Sequence, residues 1–307
     1  MKAKDFENKL IMAASLCFAA AMVVFPAVTE SGSKTAIIIW ANSIVPILLP
    51  FFIFADFIKR TGNPEMLPRR IYPFVIAFLS GYPMGAKAVG DLISAGRLSC
   101  HEAKSVLSYS MVTGPAFIIG TIGTFLGNYK AALVVALAHY IGAGLNGLLY
   151  RVPESSRKLR QTSPEATSSR IIYAGGTPLE NFTAAISAGF KAMAIILAYL
   201  ILFMIAIDLM EAAGAFELIK NETLSSVVKG LLEMTVGSNM VAICDINIRL
   251  KTVLISFIVS FGGLSVIGQS ISMTAGNGIS GGSILKIKLT HGIFAGIIAV
   301  ILSWAML

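Results

Sequence analysis

The feature that most constrains this chain is an internal repeat, in which residues 51–150 resemble residues 203–302 at a spacing of 152 positions. Positions at this spacing share an aspartate, a histidine, several glycines and apolar residues. The pairs are Phe51 and Phe203, Ile53 and Ile205, Asp56 and Asp208, Gly62 and Gly214, Leu79 and Leu231, Gly85 and Gly237, Leu98 and Leu250, Leu133 and Leu285, His139 and His291, and Gly144 and Gly296. Repeats in an apolar, glycine-interrupted chain are typical of secondary transporters, whose binding site lies where the repeats meet.

The composition indicates a membrane protein with several spans. Hydrophobic residues make up 56% of the chain and charged residues only 13%, whereas soluble domains carry about a quarter. The net charge of +8 does not indicate nucleic-acid binding here. The basic residues cluster at the ends of apolar segments, so we expect them to set the orientation of these segments in the membrane. The sequence lacks a phosphate-binding loop, a dinucleotide fingerprint and a zinc-protease motif, so it predicts neither an enzyme nor a cofactor.

The pattern of apolar runs predicts an all-α fold with seven spans and two re-entrant helical hairpins. The hairpins cover 71–97 and 224–243, because each has two short arms around a polar or glycine-rich centre. We expect a retained first helix and a short link over 30–34 before the second span. The spans are 10–29, 36–58, 104–126, 131–150, 181–210, 251–274 and 284–306.

Charge counts predict the orientation of these segments. Most basic residues, including those of the N-terminus and of 151–170, fall on one side, which is therefore expected to be the cytoplasm. Lys286 and Lys288 are assigned to the same side. Each repeat has three crossings, so the second repeat is expected to be inverted relative to the first. The predicted organisation is an N-terminal helix (1–35), a first repeat (36–150), a cytoplasmic linker (151–180) and a second repeat (181–307).

Broken helices at membrane depth are the best candidates for a substrate site. Free N–H groups at a half-helix N-terminus attract anions, and free carbonyls attract cations. Lys87 could pair with a carboxylate or extend to the cytoplasmic surface, and Glu233 could carry a coupling proton, hold Na⁺ or form an ion pair. The first tip supplies Ser80, Gly81, Tyr82, Gly85 and Lys87, the second supplies Glu233, Thr235, Gly237, Ser238 and Asn239, and the broken spans supply Thr113, Gly114, Ser265 and Gln269.

Two histidines at equivalent positions, His139 and His291, have two open interpretations. They could take part in transport, but a lone histidine on a membrane helix is more often a hydrogen-bonded packing residue. Asp56 and Asp208, near the ends of the second and fifth spans, are expected to cap helices or pair at interfaces.

Several motifs resemble the YlbJ (SpoVV) family of sporulation integral membrane proteins. They are Pro50-Phe51-Phe52 with Asp56, the stretch 80–87, Ala138-His139-Tyr140, the stretch 230–235 and Gly263-Leu264-Ser265. Both halves also look like nucleoside-recognition (Gate) domains, which are similar in architecture to concentrative nucleoside transporters. The resemblance implies a multi-pass protein of the outer forespore membrane that moves dipicolinic acid, a flat pyridine with two carboxylates.

We therefore expect a secondary transporter of a small aromatic dicarboxylate, coupled to a proton or Na⁺. The expected partners are this anion and the lipid bilayer, with no nucleic acid, and a homo-oligomer is compatible with the sequence. A nucleoside or nucleobase permease is the alternative within transport, since a neutral substrate would not need Lys87. A non-transporting sporulation scaffold is the alternative from another class.

Overall fold

A computed structural model describes residues 2–61, 67–152 and 177–307, and these residues form helices and no strand. The predicted all-α fold is therefore confirmed for the described chain. The helices are α1 (Lys2–Val24), α2 (Pro26–Ile39), α3 (Val45–Thr61), α4 (Tyr72–Ser80), α5 (Met84–Ser94), α6 (Cys100–Ser110), α7 (Gly123–Leu126), α8 (Tyr129–Leu149), α9 (Pro178–Ala212), α10 (Glu222–Leu232), α11 (Met234–Ile243), α12 (Ile248–Phe261), α13 (Gly263–Met273) and α14 (Gly281–Met306).

In the described ranges, five helical stretches are long and apolar enough to cross a bilayer. This number is lower than the seven spans expected from the sequence. The apolar part of α1 covers only Ile11–Val24, and the expected span 104–126 is divided into α6, a π-helical segment (Phe117–Ile122) and α7. The five stretches are Pro26–Ile58, Tyr129–Leu149, Pro178–Ala212, Ile248–Met273 and Gly281–Met306.

The expected link over 30–34 is wrong, because these residues lie inside α2. The helix break comes earlier, at Phe25, where Pro26 begins the next helix. Proline fits the first turn of a helix because the N–H that it lacks would have no intrahelical partner there. A π-helical turn (Trp40–Ile44) joins α2 to α3 just before Pro46, and this wider turn leaves room for the proline ring within a continuous helix.

Both segments predicted to be re-entrant hairpins are helix pairs with a break between the arms. The first break covers Gly81, Tyr82 and Pro83, within the predicted stretch. The second break is much narrower than predicted. Only Glu233 separates α10 from α11, so the residues from Met234 to Asn239 are helical.

The centre of the protein is formed by α8, α12 and α14, which pack closely on one another. The long helix α9 packs outside this centre against α2 and α3, and all three keep many apolar side chains exposed. This exposure suits contact with lipid. The predicted linker lies largely in 153–176, which is outside the described residues. Gly62, a member of one repeat pair, is outside them as well. The repeat boundaries remain predictions, and α2 runs through position 35.

Candidate functional site

The two hairpin tips meet at a small buried cavity of about 40 Å³. Since one water needs about 10–15 Å³ on this measure, the cavity has room for only a few waters. Apolar residues of the π turn, α9 and α13 complete its wall. The residues predicted from the sequence that line it are Ser80, Gly81, Tyr82, Thr113, Glu233, Thr235 and Gln269.

Each tip packs against the break of a neighbouring helix through glycine. Gly81 has φ of +74°, and a Cβ there would lie 3.0 Å from the backbone nitrogen of Gly114. Gly263 has φ of +70°, and a Cβ there would lie 3.0 Å from the nitrogen of Met234, next to Glu233. Positive φ and close backbone contact both favour glycine. At these two positions glycine allows the backbone of a tip to lie directly against the backbone of a helix break.

Glu233 caps the helix that it precedes. Its Oε2 accepts a hydrogen bond of 2.7 Å from the N–H of Val236, and its Oε1 accepts one of 3.4 Å from the hydroxyl of Ser265. Glu233 is only 5% exposed and lines the cavity. The N-terminus of α11 therefore already has an anionic partner from its own chain, which corrects the expectation that both half-helix N-termini are free for a substrate anion.

A larger space of about 390 Å³, which we call the vestibule, lies on the other side of Ser80. Lys87 belongs to this space and not to the small cavity, and its Nζ lies 2.9 Å from Asp91 Oδ2. Ser80 lines both spaces. The vestibule residues are Phe52, Asp56, Arg60, Ser80, Pro83, Met84, Lys87, Ala188, Gly189, Lys191, Ala192, Ile195 and Met273.

The remaining predicted residues do not line the small cavity. Gly85 packs against Ser110 of α6, and Gly237 packs against Gly230 of the other hairpin arm, so close that a Cβ at either position would overlap backbone atoms. These two glycines allow helices to cross. Gly114 supports the first tip, and Ser238 and Asn239 lie on α11 away from both spaces.

The two candidate histidines lie at the buried centre. The Nε2 of His139 accepts a 3.1 Å hydrogen bond from the N–H of Thr113, so its proton is on Nδ1, which lies 2.8 Å from the hydroxyl of Ser260. The Nε2 of His291 donates to the carbonyl of His139 at 2.9 Å. These contacts hold the break at Thr113 in place, which gives both histidines a positioning role beside the cavity.

Sequence reasoning missed one residue beside this site. Lys288 is fully buried, and its Nζ lies 4.3 Å from the centre of the Tyr82 ring. Its use as a topology charge at the end of a segment is therefore wrong, whereas the side of the membrane on which it lies stays a prediction. Its burial could have been predicted from the sequence, because Lys288 is a charged residue inside the apolar run 284–306. It lies one helical turn before His291 and on the same face of the helix.

Comparison with known proteins tests the resemblance in the motifs. The chain is 26% identical over 337 residues to a protein of Bacillus subtilis (strain 168) named "Sporulation integral membrane protein YlbJ", a match that covers 96% of this chain and 83% of that protein. The resemblance to the YlbJ family is thereby confirmed. The similarity to YlbJ extends over both hairpins, because nearly the whole chain is covered. No family model matches the chain. No solved structure matches it either.

Proposed function

We propose that this protein is a secondary transporter that moves a small aromatic dicarboxylate, dipicolinate, across the outer forespore membrane during sporulation. The similarity to YlbJ, a protein named for sporulation and for the membrane, supports these two parts of the proposal. The five long apolar helices support a multi-pass protein. The transport activity and the substrate are supported by the two spaces on either side of Ser80.

The observation that carries the proposal is that a wide space, the vestibule, and a narrow space, the small cavity, adjoin each other at Ser80. The vestibule holds about 390 Å³, within the range of about 300–1,000 Å³ that small-molecule sites occupy. The adjoining cavity between the tips holds about 40 Å³, too little for an aromatic dicarboxylate. A substrate-sized space next to a narrow cavity between two hairpin tips is the arrangement expected of a transporter with its central gate closed, and it supports the proposal.

The charge of the vestibule favours an anion. Arg60, Lys87 and Lys191 line it, with Asp56 as the single acidic residue of the lining. Arg60 pairs with Asp56, and Lys87 pairs with Asp91. Lys191 has no ion-pair partner in the described ranges, and it therefore supplies uncompensated positive charge at the point where a dicarboxylate would collect.

Glu233 supplies a reason for ion coupling. A dianion that enters the central cavity would approach this carboxylate, and like charges in a poorly hydrated site repel strongly. A proton or Na⁺ on Glu233 would remove the repulsion. Cation binding and anion binding would then favour each other, which is the linkage that a symporter needs.

The inverted repeat also belongs to this proposal. His139 and His291 are 152 positions apart, and their rings lie 4.7 Å from each other. Equivalent residues contact each other where they lie near a two-fold axis. The tips at Gly81 and Glu233 each pack against the break of another helix in the same way. The histidine contact and the packing of the two tips both support a protein built from two related halves. Two such halves are what an alternating-access mechanism needs.

Uptake of radiolabelled dipicolinate by proteoliposomes tests the proposal. The purified protein is reconstituted, and uptake is measured under proton and Na⁺ gradients with excess uridine as competitor. We expect saturable uptake that uridine does not reduce. Empty liposomes and liposomes with the Gly263→Val variant, in which a side chain would force the second tip away from its helix break, serve as controls.

The competing functions give different results in the same experiment. Uptake of uridine without uptake of dipicolinate would identify a nucleoside permease. Absence of both activities under every gradient, in protein that elutes as a single folded species, would reject transport and favour the scaffold.

A further inference from the structure

Lys288 is a buried lysine that has no carboxylate partner among the described residues. It lies within α14, its side chain is 0% exposed, and it is the largest fully buried side chain among the described residues. Its Nζ donates hydrogen bonds to the hydroxyl of Tyr82 and, at 3.0 Å, to the carbonyl of Met111. No carboxylate lies within ion-pair distance of it in the described ranges. A charged group in such a place is costly and is a functional candidate by default.

The partners of Lys288 lie in or next to the wall of the small cavity. Tyr82 is in the first hairpin tip and lines the cavity. Met111 begins the break that contains Thr113, which also lines the cavity. The Lys288 ammonium therefore lies directly behind the first tip, and the ring and hydroxyl of Tyr82 separate it from the space between the tips.

The other titratable groups around Lys288 add no negative charge. Tyr82 carries the hydroxyl that accepts its hydrogen bond. His139 accepts a backbone hydrogen bond on Nε2 and so is a neutral imidazole, and His291 is bonded to the carbonyl of His139. None of these three groups carries negative charge, so none of them neutralises an ammonium at Lys288.

We propose that the Lys288 ammonium binds a carboxylate of the substrate when the first hairpin tip moves away, so that Tyr82 holds the place of the substrate in the closed state. This inference rests on the proposed function and names a substrate-binding residue for it. Movement of the tip removes the hydroxyl and the ring of Tyr82, and a carboxylate then supplies the stronger, charge-assisted partner. The exchange of a neutral partner for an anionic one also makes the site specific for anions.

Labelling of a cysteine at position 288 tests whether this position enters the transport path, whatever the substrate is. Lys288→Cys is made with Cys17→Ser, Cys100→Ser and Cys244→Ala, and the protein in proteoliposomes is treated with the anionic reagent 2-sulfonatoethyl methanethiosulfonate. Ile284→Cys and Ala299→Cys are matched controls, because both positions are fully buried on the same helix. We expect labelling at 288 to be at least tenfold faster than at the controls. Equal rates would overturn the inference.

Binding measurements separate a carboxylate site from a structural contact. The probe is dipicolinate, and the readout is the thermal shift that it produces in purified protein. Lys288→Met keeps the buried volume and should lose at least tenfold in affinity, whereas Lys288→Arg should retain part of it. Tyr82→Phe removes the competing hydroxyl, together with the hydrogen bond that it donates to the carbonyl of Val259, and should bind dipicolinate at least as well as the unchanged protein. Equal losses in Lys288→Met and Tyr82→Phe would show that the pair only holds the tip.

The two proposals can fail separately. If the unchanged protein neither binds nor transports dipicolinate, the proposed function fails, and labelling at position 288 still decides whether Lys288 lies in a path through the protein. If Lys288→Met binds and transports dipicolinate normally, the proposed function stands and the inference about Lys288 is wrong. If Lys288→Met does not fold, the labelling rates and the affinity of Lys288→Arg decide.

Discussion

His291 donates a hydrogen bond to the backbone carbonyl of His139, and the two imidazole rings lie 4.7 Å apart at the centre of the protein. This contact joins α8 to α14, the two helices that end the sequence repeats. His139 also connects the two helices to the broken segment at Thr113, because its imidazole accepts a hydrogen bond from the N–H of Thr113. The packing of α8 on α14 therefore determines the position of one wall of the cavity.

A glycine pair on α8 tests this packing. A Cβ at Gly142 would lie 3.0 Å from the backbone nitrogen of Ala295, whereas a Cβ at Gly144 would meet nothing within 4 Å. We expect Gly142→Ala to destabilise the protein by about 1–3 kcal/mol, because the helices must separate. Gly144→Ala should be neutral or stabilising by up to about 1 kcal/mol, since alanine favours helix. Thermal unfolding in detergent measures both, and equal effects would contradict the close approach.

Removal of charge from the vestibule should weaken uptake of the dicarboxylate. We expect Lys191→Ala to raise the KM for dipicolinate about five- to tenfold at low salt, because a unit charge near a dianion contributes about 1 kcal/mol or more in water. The effect should shrink as ionic strength rises. Lys220→Ala removes an exposed lysine that does not line the vestibule and is the control. An unchanged KM in Lys191→Ala would show that the substrate does not pass this surface.

Lys87→Ala should weaken uptake about as much as Lys191→Ala, because each variant removes one positive charge, and the loss of Lys87 also leaves the Asp91 carboxylate without this ion-pair partner. The double variant Lys87→Ala, Asp91→Ala removes both members of the ion pair, so it leaves the net charge of this region unchanged and should restore most of the uptake. Kinetics of dipicolinate uptake compare the three proteins. Complete loss of transport in both Lys87 variants would instead show that Lys87 contacts the substrate directly.

Substitutions of Glu233 should separate its capping role from its charge. Glu233→Ala removes the acceptor for the Val236 N–H and should cost about 0.5–2 kcal/mol of stability, whereas Glu233→Gln keeps an acceptor and should be close to normal. If Glu233 binds the coupling cation, Glu233→Gln should also abolish the dependence of uptake on the ion gradient. Thermal unfolding and gradient-driven uptake measure the two effects. Unchanged coupling in Glu233→Gln would assign it to capping alone.

The stability of the protein should depend on pH through Glu102, which lies outside the long membrane helices. Burial raises the pKa of this carboxyl, but hydrogen bonds from Arg70 and Ser99 and the charge of Arg69 outweigh burial and leave the pKa below its usual value. A lowered pKa in the folded state contributes stability above the unfolded pKa of about 4.3, and this contribution is lost as the pH falls through the folded pKa. We expect the midpoint temperature of thermal unfolding to decrease as the pH is lowered below about 4.3, and we expect a smaller decrease in Glu102→Gln. Identical pH profiles would contradict this role.

The sequence by itself determined the helical class and the places where helices break. Apolar runs without charge require helices in a bilayer, and the glycines and prolines near residues 81, 114 and 262 interrupt them by local backbone chemistry. For the same reason the residues of both tips could be selected as site candidates, and several of them line one cavity. Their role in binding stays a prediction.

Only the tertiary structure decided which side chains face the cavity and which face something else. Lys87 and Lys288 look alike in the sequence, but Lys87 has Asp91 one turn away on its own helix, whereas Lys288 is enclosed by residues from distant segments. Glu233 similarly turns back to cap α11. The burial and partners of a charged side chain depend on the neighbours that packing brings to it, and a pattern along one segment carries no record of those neighbours.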